Sequence, residues 1–423
     1  MLRRSLLAAG VFGIAMSCGA AAAPAPQPHW VETWGSAQMV PGEQDELPAA
    51  LWRDATLRQI VHVSLGGKQI RVRISNVFGT QPLVLDAAGV ALAAGPGRAD
   101  VDAGTLRPLR FDGRAAVTIP AGAEYVSDPL AFHLPAGADL AISMRFRDPP
   151  ARQTSHPGAH ATGFVARGDR VAQARWLDAQ RVEHWYQLAG VEVQAAARAH
   201  AVAAIGDSIT DGHGATTDGN DRWTDALAAR LRANGMADVG VLNTGIGGGR
   251  LLRDGLGPNL ASRFERDVLA RGGVSHAVVM IGVNDLGVQH KNGEDSPAAR
   301  AALLEELQQA HRQLVQAAHA RGVCVIGATI TPYAGSGYYQ PGPDNERDRQ
   351  AYNSWIRAAG VFDEVADFDA ALRDPARPDL IRRAYDSGDG LHPSPAGFRA
   401  MADAVPLENL KTCRFAKRGE NGK

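Results

Sequence analysis

Four short segments in the second half of the chain carry side chains that could together perform acyl-transfer chemistry. Residues 206–208, Gly-Asp-Ser, place a serine hydroxyl directly after an apolar run. Residues 389–392, Asp-Gly-Leu-His, place a carboxylate three residues before an imidazole. Such a carboxylate can accept a hydrogen bond from one ring nitrogen and leave the other facing a serine. We therefore predict Ser208 as nucleophile, His392 as its base and Asp389 as the acid that orients the histidine.

The other two segments offer hydrogen-bond donors for a developing oxyanion. Residues 243–250 read Asn-Thr-Gly-Ile-Gly-Gly-Gly-Arg, and a stretch so rich in glycine exposes backbone N–H groups to a close ligand. Asn284, within Gly-Val-Asn-Asp, offers a neutral side-chain amide. The glycines could also hold a phosphate, but the run lacks the G-x-G-x-x-G spacing, and the chain has no GK[ST] motif.

Each of these residues also has a purely structural explanation. Serine is common at turns and helix N-termini, and asparagine forms Asx-turns at strand ends. An Asp-x-x-His pair can be a cap or part of a metal site, although the other histidines do not support zinc, because His213, His276 and His290 lack the spacing of helical ligands. The presence of all four segments in one chain favours catalysis.

The residues from about 200 onward predict a parallel α/β sheet. Short apolar runs suit strands that are buried on both faces, and helical periodicity fills the intervals at residues 223–235 and 303–322. In such sheets the active groups lie on loops at the carboxyl ends of the strands. The predicted strands are residues 201–205, 239–242, 277–281 and 323–329.

Residues 30–195 show a different pattern, in which apolar and polar residues alternate. Residues 57–65 and 70–74, on either side of Gly66-Gly67, predict a β-hairpin. Further alternating runs separated by Gly, Pro and Asp predict a β-sandwich. We expect this sandwich to brace its neighbour. The alternative is a carbohydrate-binding module, whose stacking faces would be Trp30, Trp34, Trp52 and Trp185.

The overall composition excludes several classes of function. The chain has 423 residues, 44 Lys+Arg against 45 Asp+Glu, and a formal net charge of -1. Charges of both signs are interspersed, so no basic surface is available to attract nucleic acid phosphates. We expect neither a nucleic acid partner nor a repeat architecture.

Residues 1–23 have the pattern of a secretory signal, with two arginines, an apolar stretch at 6–16 and small residues at 20–23. That stretch is too short to span a bilayer, and no later segment is long enough. We therefore expect a secreted or periplasmic protein with no integral membrane segment in the mature chain. Cys18 raises the alternative of a lipid anchor. The remaining cysteines, Cys324 and Cys413, could pair in an oxidising compartment.

The combination of motifs resembles the SGNH, or GDSL, hydrolase superfamily over residues 200–406. The Gly-Asp-Ser segment is similar to the nucleophile block, Gly248 to the oxyanion glycine, Asn284 to the asparagine of the third block, and residues 389–392 to the acid-base block. Residues 52–85 also resemble the β-domain of one secreted branch. The resemblance implies a flavodoxin-like three-layer α/β/α domain with a parallel sheet, preceded by an all-β, jelly-roll-like sandwich.

The expected organisation is a signal peptide at 1–23, a β-sandwich at 30–195, a hydrolase domain at 200–410 and a tail at 411–423. The resemblance implies that Ser208 attacks an ester carbonyl to form an acyl-enzyme. The N–H groups of Ser208 and Gly248 and the Asn284 amide would hold the oxyanion. Neither a metal nor an organic cofactor is expected.

The long loop at residues 331–343 is rich in Tyr, Gly and Pro and is expected to overhang the site. Tyr338 and Tyr339 are candidates for stacking on a sugar or an aryl group, and Asp207 is a further candidate for substrate binding. No extended apolar lid of the kind that a long-chain lipase uses is evident. We expect a secreted serine esterase that removes short acyl groups, acetyl above all, from a small-molecule or polysaccharide ester. The alternatives are a lipase or arylesterase, a polysaccharide O-acyltransferase, and a binding protein.

Overall fold

The computed structural model describes residues 29–358 and 360–411. The predicted signal at 1–23, Cys18 and residues 412–423 of the tail lie outside the described residues. Cys324 is buried and disulfide-bonded, whereas Cys413, its predicted partner, lies outside them as well.

The first half of the chain is built from antiparallel strands, as its alternating pattern predicts. A short helix, α1 (Ala49–Trp52), lies between the first two strands. The strands are β1 (Trp30–Gly35), β2 (Ala55–His62), β3 (Gly67–Ser75), β4 (Leu83–Leu85), β5 (Ala87–Leu92), β6 (Arg107–Pro108), β7 (Val117–Ile119), β8 (Glu124–Val126), β9 (Leu130–Leu134), β10 (Asp139–Phe146), β11 (Ser155–His156), β12 (Gly163–Arg167), β13 (Gln180–Val182), β14 (Trp185–Tyr186) and β15 (Leu188–Gln194).

These strands form two main sheets that enclose one core. One sheet has the order β1-β15-β3-β8, with β9 also paired to β3, and the other has the order β13-β12-β2-β10-β5-β6. The predicted hairpin is wrong, because β2 pairs with β10 and β12 whereas β3 pairs with β15, β8 and β9. The chain therefore crosses from one sheet to the other at Gly66. An alternating pattern shows which face of a strand is buried but does not select its partner.

The tryptophans of this β-rich region pack inside it. Trp34, Trp52 and Trp185 are 7%, 0% and 6% exposed. The Trp34 and Trp185 rings meet edge to face with centroids 4.8 Å apart. These three rings therefore offer no face to a sugar, and the Trp30 ring, which is only half buried, lies under the Arg71 guanidinium.

The second half of the chain forms the predicted α/β architecture. Its five parallel strands have the order β17-β16-β18-β19-β20, the flavodoxin-like order, so the predicted fold class is confirmed. Sequence patterning missed β20, which has only three residues. The elements are β16 (His200–Gly206), α2 (Ser208–Asp211), α3 (Trp223–Ala233), β17 (Val239–Gly245), α4 (Leu260–Phe264), β18 (Val274–Met280), α5 (Val283–Lys291), α6 (Pro297–Ala320), β19 (Cys324–Ala328), α7 (Pro343–Ala358), β20 (Glu364–Ala366), α8 (Phe368–Leu372), α9 (Pro395–Ala404) and α10 (Leu407–Lys411).

Two groups of helices cover this sheet. Helix α3 packs against β17 and α9, and α9 packs against α8; helix α6 packs against β19, α5 and α7. Among the described residues, no helix has the length and apolar character needed to cross a membrane.

The two halves share a buried interface in which β1 packs against β16 and β17. An ion pair joins the halves there, with Arg271 Nη1 3.1 Å from Glu32 Oε1 and both side chains no more than 1% exposed. Burial raises the pKa of Glu32 to about 7, against the opposing effect of Arg271. The Ser64 hydroxyl accepts a hydrogen bond from the Val241 backbone N–H at 2.9 Å.

The Arg271–Glu32 pair provides a test of how strongly the interface contributes to stability. Arg271→Met should lower the free energy of unfolding by about 3 to 5 kcal/mol, because it leaves a buried carboxylate without its partner. Arg198→Met is the matched control, since the Arg198 side chain is 80% exposed in its pair with Asp238, and it should cost less than about 1 kcal/mol. Urea unfolding measures both values, and equal losses would contradict a special role for the buried pair.

Candidate active site

Ser208 lies at the carboxyl end of the central strand β16, as the first residue of α2. The preceding residue, Asp207, caps this helix, because its Oδ1 accepts a hydrogen bond from the Ile209 N–H at 3.0 Å. The Asp207 side chain is fully buried, and burial raises its pKa to about 7. Asp207 therefore positions the Ser208 turn, and its side chain offers no exposed surface, so substrate binding by Asp207 stays a prediction.

The structure brings the three predicted triad residues together. Ser208 Oγ lies 2.8 Å from His392 Nε2, and His392 Nδ1 lies 2.6 Å from Asp389 Oδ2. The other carboxylate oxygen, Oδ1, accepts hydrogen bonds from the backbone N–H groups of Leu391 and His392 at 2.9 Å and 2.8 Å. Because a carboxylate only accepts, the ring proton lies on Nδ1, and Nε2 is left to take the serine proton.

The surroundings of His392 and Asp389 favour a neutral histidine beside an ionised carboxylate. Burial lowers the pKa of His392, the hydrogen bond to Asp389 opposes that effect, and the net pKa lies below the usual value of a histidine. Burial raises the pKa of Asp389, but its hydrogen bonds with the His392 side chain and backbone lower it by more, so the net pKa lies below the usual range. His392 is therefore uncharged near neutral pH and able to accept a proton.

A second histidine lies against the first. The rings of His213 and His392 have centroids 4.1 Å apart, and the His213 side chain is 60% exposed. His213, Asp389 and His392 each place one potential metal-ligand atom within 4.8 Å of the others. Two of these residues already share a hydrogen bond that the proposed proton transfer requires, so a metal ion bound there would compete with catalysis.

In the glycine-rich segment after β17, one N–H group bonds to no other described group. We call residues 246–249 the oxyanion loop. The Gly247 N–H donates to Asp211 Oδ2 at 2.9 Å and is therefore occupied. Within residues 29–358 and 360–411, the Gly248 N–H donates to no other protein group. Gly248 adopts φ +67°, a left-handed conformation that favours glycine. This geometry fits Gly248 as the loop donor, beside the Ser208 N–H at the start of α2.

The predicted third donor, the Asn284 amide, is held on both sides. Its Nδ2 donates to the Gly249 carbonyl at 2.7 Å, which leaves one of its two hydrogens for an oxyanion. Its Oδ1 accepts a hydrogen bond from the Tyr339 hydroxyl at 2.6 Å. The Tyr339 side chain is only 5% exposed, so this residue orients the amide instead of offering the predicted stacking face. Tyr338 is 65% exposed, and Lys291 Nζ lies 3.5 Å from its ring centroid.

Two acidic residues that sequence reasoning did not select also shape the site. Asp285 accepts hydrogen bonds from the N–H groups of Leu251 and Leu252, just after the oxyanion loop. Asp211, at the end of α2, accepts from that loop itself. The sequence contained a signal for both, since each lies within three residues of a predicted catalytic residue.

Two clefts meet at Ser208. The larger, about 780 Å³, is lined by His392, Asn284, Tyr338 and the residues around Asp386. The smaller, about 300 Å³, lies between the two halves of the chain and is lined by Gly247 of the oxyanion loop and by residues of the β-rich region that include His156 and His160. Ser208 thus has open space on two sides.

Comparisons with known proteins concern mainly the second half of the chain. Residues 204–400 match the family described as GDSL-like Lipase/Acylhydrolase. None of the curated proteins matches the chain. Among solved structures, a GDSL-like lipase from Bacteroides thetaiotaomicron is 18% identical, with TM-score 0.36, over 50% of this chain and 87% of its own.

Two further solved structures are esterases by their descriptions. The acetyl xylan esterase AlAXEase is 18% identical, with TM-score 0.36, over 48% of this chain and 96% of its own. A variant of an acetyl xylan esterase from Geobacillus stearothermophilus is 22% identical, with TM-score 0.36, over 51% of this chain and 96% of its own.

The lowered pKa of His392 gives a prediction for pH dependence. Hydrolysis of 4-nitrophenyl acetate requires neutral His392, so kcat/KM should fall as the pH drops through that pKa, below the usual value of about 6.5. His213 lowers the pKa of His392, so His213→Asn should move the acid limb to higher pH. A limb at or above pH 6.5 in the unmodified protein would contradict this assignment.

The bond from Tyr339 to Asn284 gives a second prediction. Tyr339→Phe should reduce kcat about 3- to 10-fold with little change in KM, because one hydrogen bond of about 1 kcal/mol no longer orients the amide. Tyr338→Phe is the matched control, since its exposed ring does not contact Asn284, and it should retain kcat. Steady-state kinetics on 4-nitrophenyl acetate measure kcat and KM for both variants. An increase in KM with unchanged kcat for Tyr339→Phe would refute the positioning role.

Proposed function

Since residues 204–400 are a GDSL-like lipase/acylhydrolase domain and hence a carboxylic ester hydrolase domain, we propose that this protein is a serine esterase of short-chain acyl esters. The observation that carries the proposal is the continuous hydrogen-bonded chain from Ser208 through His392 to Asp389, with steps of 2.8 Å and 2.6 Å. Ser208 lines both clefts, and the Gly248 N–H, which bonds to no other described group, follows β17, the strand next to β16. This is the arrangement that nucleophilic acyl transfer requires.

The proposed reaction proceeds through an acyl-enzyme. Ser208 Oγ adds to the ester carbonyl carbon while its proton passes to His392 Nε2. The carbonyl oxygen becomes an oxyanion held by the Gly248 and Ser208 N–H groups and the Asn284 amide. His392 then gives its proton to the leaving alcohol as the C–O bond breaks. Water repeats the sequence, again with His392 as base, and releases the carboxylic acid.

The two clefts suggest how the ester lies in the site. His392 must protonate the leaving oxygen, and it lines the larger cleft of about 780 Å³, so we place the alcohol there. The acyl group then occupies the smaller cleft of about 300 Å³ on the other side of Ser208. This placement supports a small acyl group on a bulky alcohol.

The lining of the larger cleft supports a carbohydrate as that alcohol. Exposed Tyr338 lies at its rim with backbone and polar groups of residues 335–337 and the Asp386 carboxylate. Aromatic faces next to hydrogen-bonding groups suit the alternating apolar and polar faces of a sugar ring. We therefore propose acetyl esters of carbohydrates as the substrate class.

Hydrolysis of 4-nitrophenyl esters from acetate to palmitate tests the proposal. We expect kcat/KM to be highest for the acetate and butyrate esters and to fall for longer chains. Ser208→Ala should remove turnover with the fold retained, since it deletes the nucleophile at the cost of only one partly buried hydrogen bond, to His392. A preference for long chains would indicate a lipase, and equal turnover in Ser208→Ala would refute the mechanism.

Release of acetate from acetylated xylan tests the substrate class. The esterase should release acetate in the absence of any sugar acceptor, and Tyr338→Ala should raise KM for the polymer more than for 4-nitrophenyl acetate. Activity on the small ester alone would indicate an arylesterase. Acyl release that depends on an added sugar would indicate a transferase.

A further inference from the structure

The β-rich region lies directly against the oxyanion loop. Ala37, Met39 and Ile246 form a small buried cluster of their own, with 0%, 5% and 0% exposure. Met39 and Ser155 exchange backbone hydrogen bonds at 2.9 Å and 3.0 Å, which tie the two β-region segments together. The first residue of the loop therefore packs on the other half of the protein.

A buried polar chain continues this contact. The Gly247 N–H donates to Asp211 Oδ2 at 2.9 Å, and the other oxygen of Asp211 lies 2.8 Å from His156 Nε2. On the far side of the ring, His156 Nδ1 lies 2.8 Å from the Ala37 carbonyl oxygen. The side chains of His156 and Asp211 are 4% and 7% exposed. A ring in one half of the protein is thus connected through one carboxylate to the loop in the other half.

The contacts of His156 and its pKa agree on how the ring is held. Its Nδ1 donates to the Ala37 carbonyl oxygen, which only accepts, and its Nε2 faces the Asp211 carboxyl group. Burial lowers the pKa of His156, but the charge and hydrogen bond of Asp211 and the bond to Ala37 together raise it above the usual value. The connection is therefore a buried histidine–aspartate pair that favours the protonated form of the ring.

The backbone of the β-rich region passes close to the Asp211 carboxylate. A Cβ on Gly158 would lie 2.1 Å from Asp211 Oδ2, so the chain after β11 must pass this carboxylate as glycine. Arg222 also ties the two parts, since its Nε donates to the Asp211 carbonyl at 2.9 Å and its Nη2 donates to the Ala159 carbonyl. Asp211 is thus enclosed by residues 156–159 and by α2.

We propose that His156 and Asp211 are positioning residues for ester hydrolysis, which fix the oxyanion loop so that the Gly248 N–H faces the substrate carbonyl oxygen. This inference rests on the proposed esterase function. A glycine-rich loop has many accessible conformations, and an oxyanion hole is effective only when its donors are fixed before charge develops. The β-rich region is therefore part of the catalytic apparatus and more than a brace.

A matched pair of substitutions at one position tests the proposal. In His156→Gln, the amide nitrogen lies near the position of Nε2 and can still donate to Asp211. In His156→Asn, the amide nitrogen lies near the position of Nδ1 and can reach only the Ala37 carbonyl. We expect the His156→Asn variant to have a kcat about 10- to 100-fold lower, with KM changed less than about twofold, because the oxyanion donor is displaced. The His156→Gln variant should keep most of the wild-type kcat.

Thr162→Val is the control for the interface itself. It removes a hydroxyl that donates to Asp218 across the same junction but that does not contact the oxyanion loop. Its kcat should be unchanged. The same loss of kcat in Thr162→Val, or a failure of Gln to recover more than Asn, would show that general packing of the two halves matters and would overturn the positioning role.

Affinity for phenylboronic acid separates this inference from the proposed function. The serine oxygen adds to boron without a leaving group, its proton passes to His392, and a boron-bound oxygen occupies the oxyanion hole. Affinity should fall in His156→Asn in parallel with kcat/KM, and stay at the wild-type value in His156→Gln and Thr162→Val. If wild type binds the boronate but hydrolyses no ester, the proposed function fails alone; equal boronate affinity in Asn and Gln refutes the positioning role.

Discussion

The parallel register of β16 with both of its neighbours is the constraint on which the site depends. Gly206 at the end of β16 pairs with Gly245 on β17 and with Met280 on β18. Because the strands end level, the Ser208 turn, residues 246–249 and Asn284 of α5 begin side by side. Each needs only a short loop to reach the same point, and short loops hold their groups accurately.

A buried arginine holds the carboxyl ends of β16 and β17 together. Arg263 is 1% exposed, and its guanidinium donates to the carbonyl oxygens of Thr244 and Gly206 at 2.6 Å and 2.9 Å, which ties the ends of β17 and β16 together. Asp267 neutralises it at 3.0 Å and also bonds to Arg266. Such a network is costly to desolvate but directional, so it favours one relative position of the two strands.

The sequence was a good guide to the second half of the chain and a partial guide to the first. Apolar runs of four or more residues located β16 to β19, whereas three-residue β20 was missed. Alternation located β2 and β3 but paired them wrongly, since strands in facing sheets carry the same pattern. At the site, residue types and spacing selected Ser208, Asp389, His392 and Asn284. Residue type and spacing could not show that Tyr338 is exposed whereas the neighbouring Tyr339 is buried.

The sequence by itself determined the fold class and the chemical groups that gather at one edge of the sheet, because strand periodicity and residue type are local properties. Only the tertiary structure decided which donors are free, that Gly247 is occupied by Asp211, and that His156 from the other half of the chain contacts that carboxylate. His156 is 55 residues from Asp211 along the chain. No local pattern encodes such a contact, since it arises from the packing of two separately patterned regions.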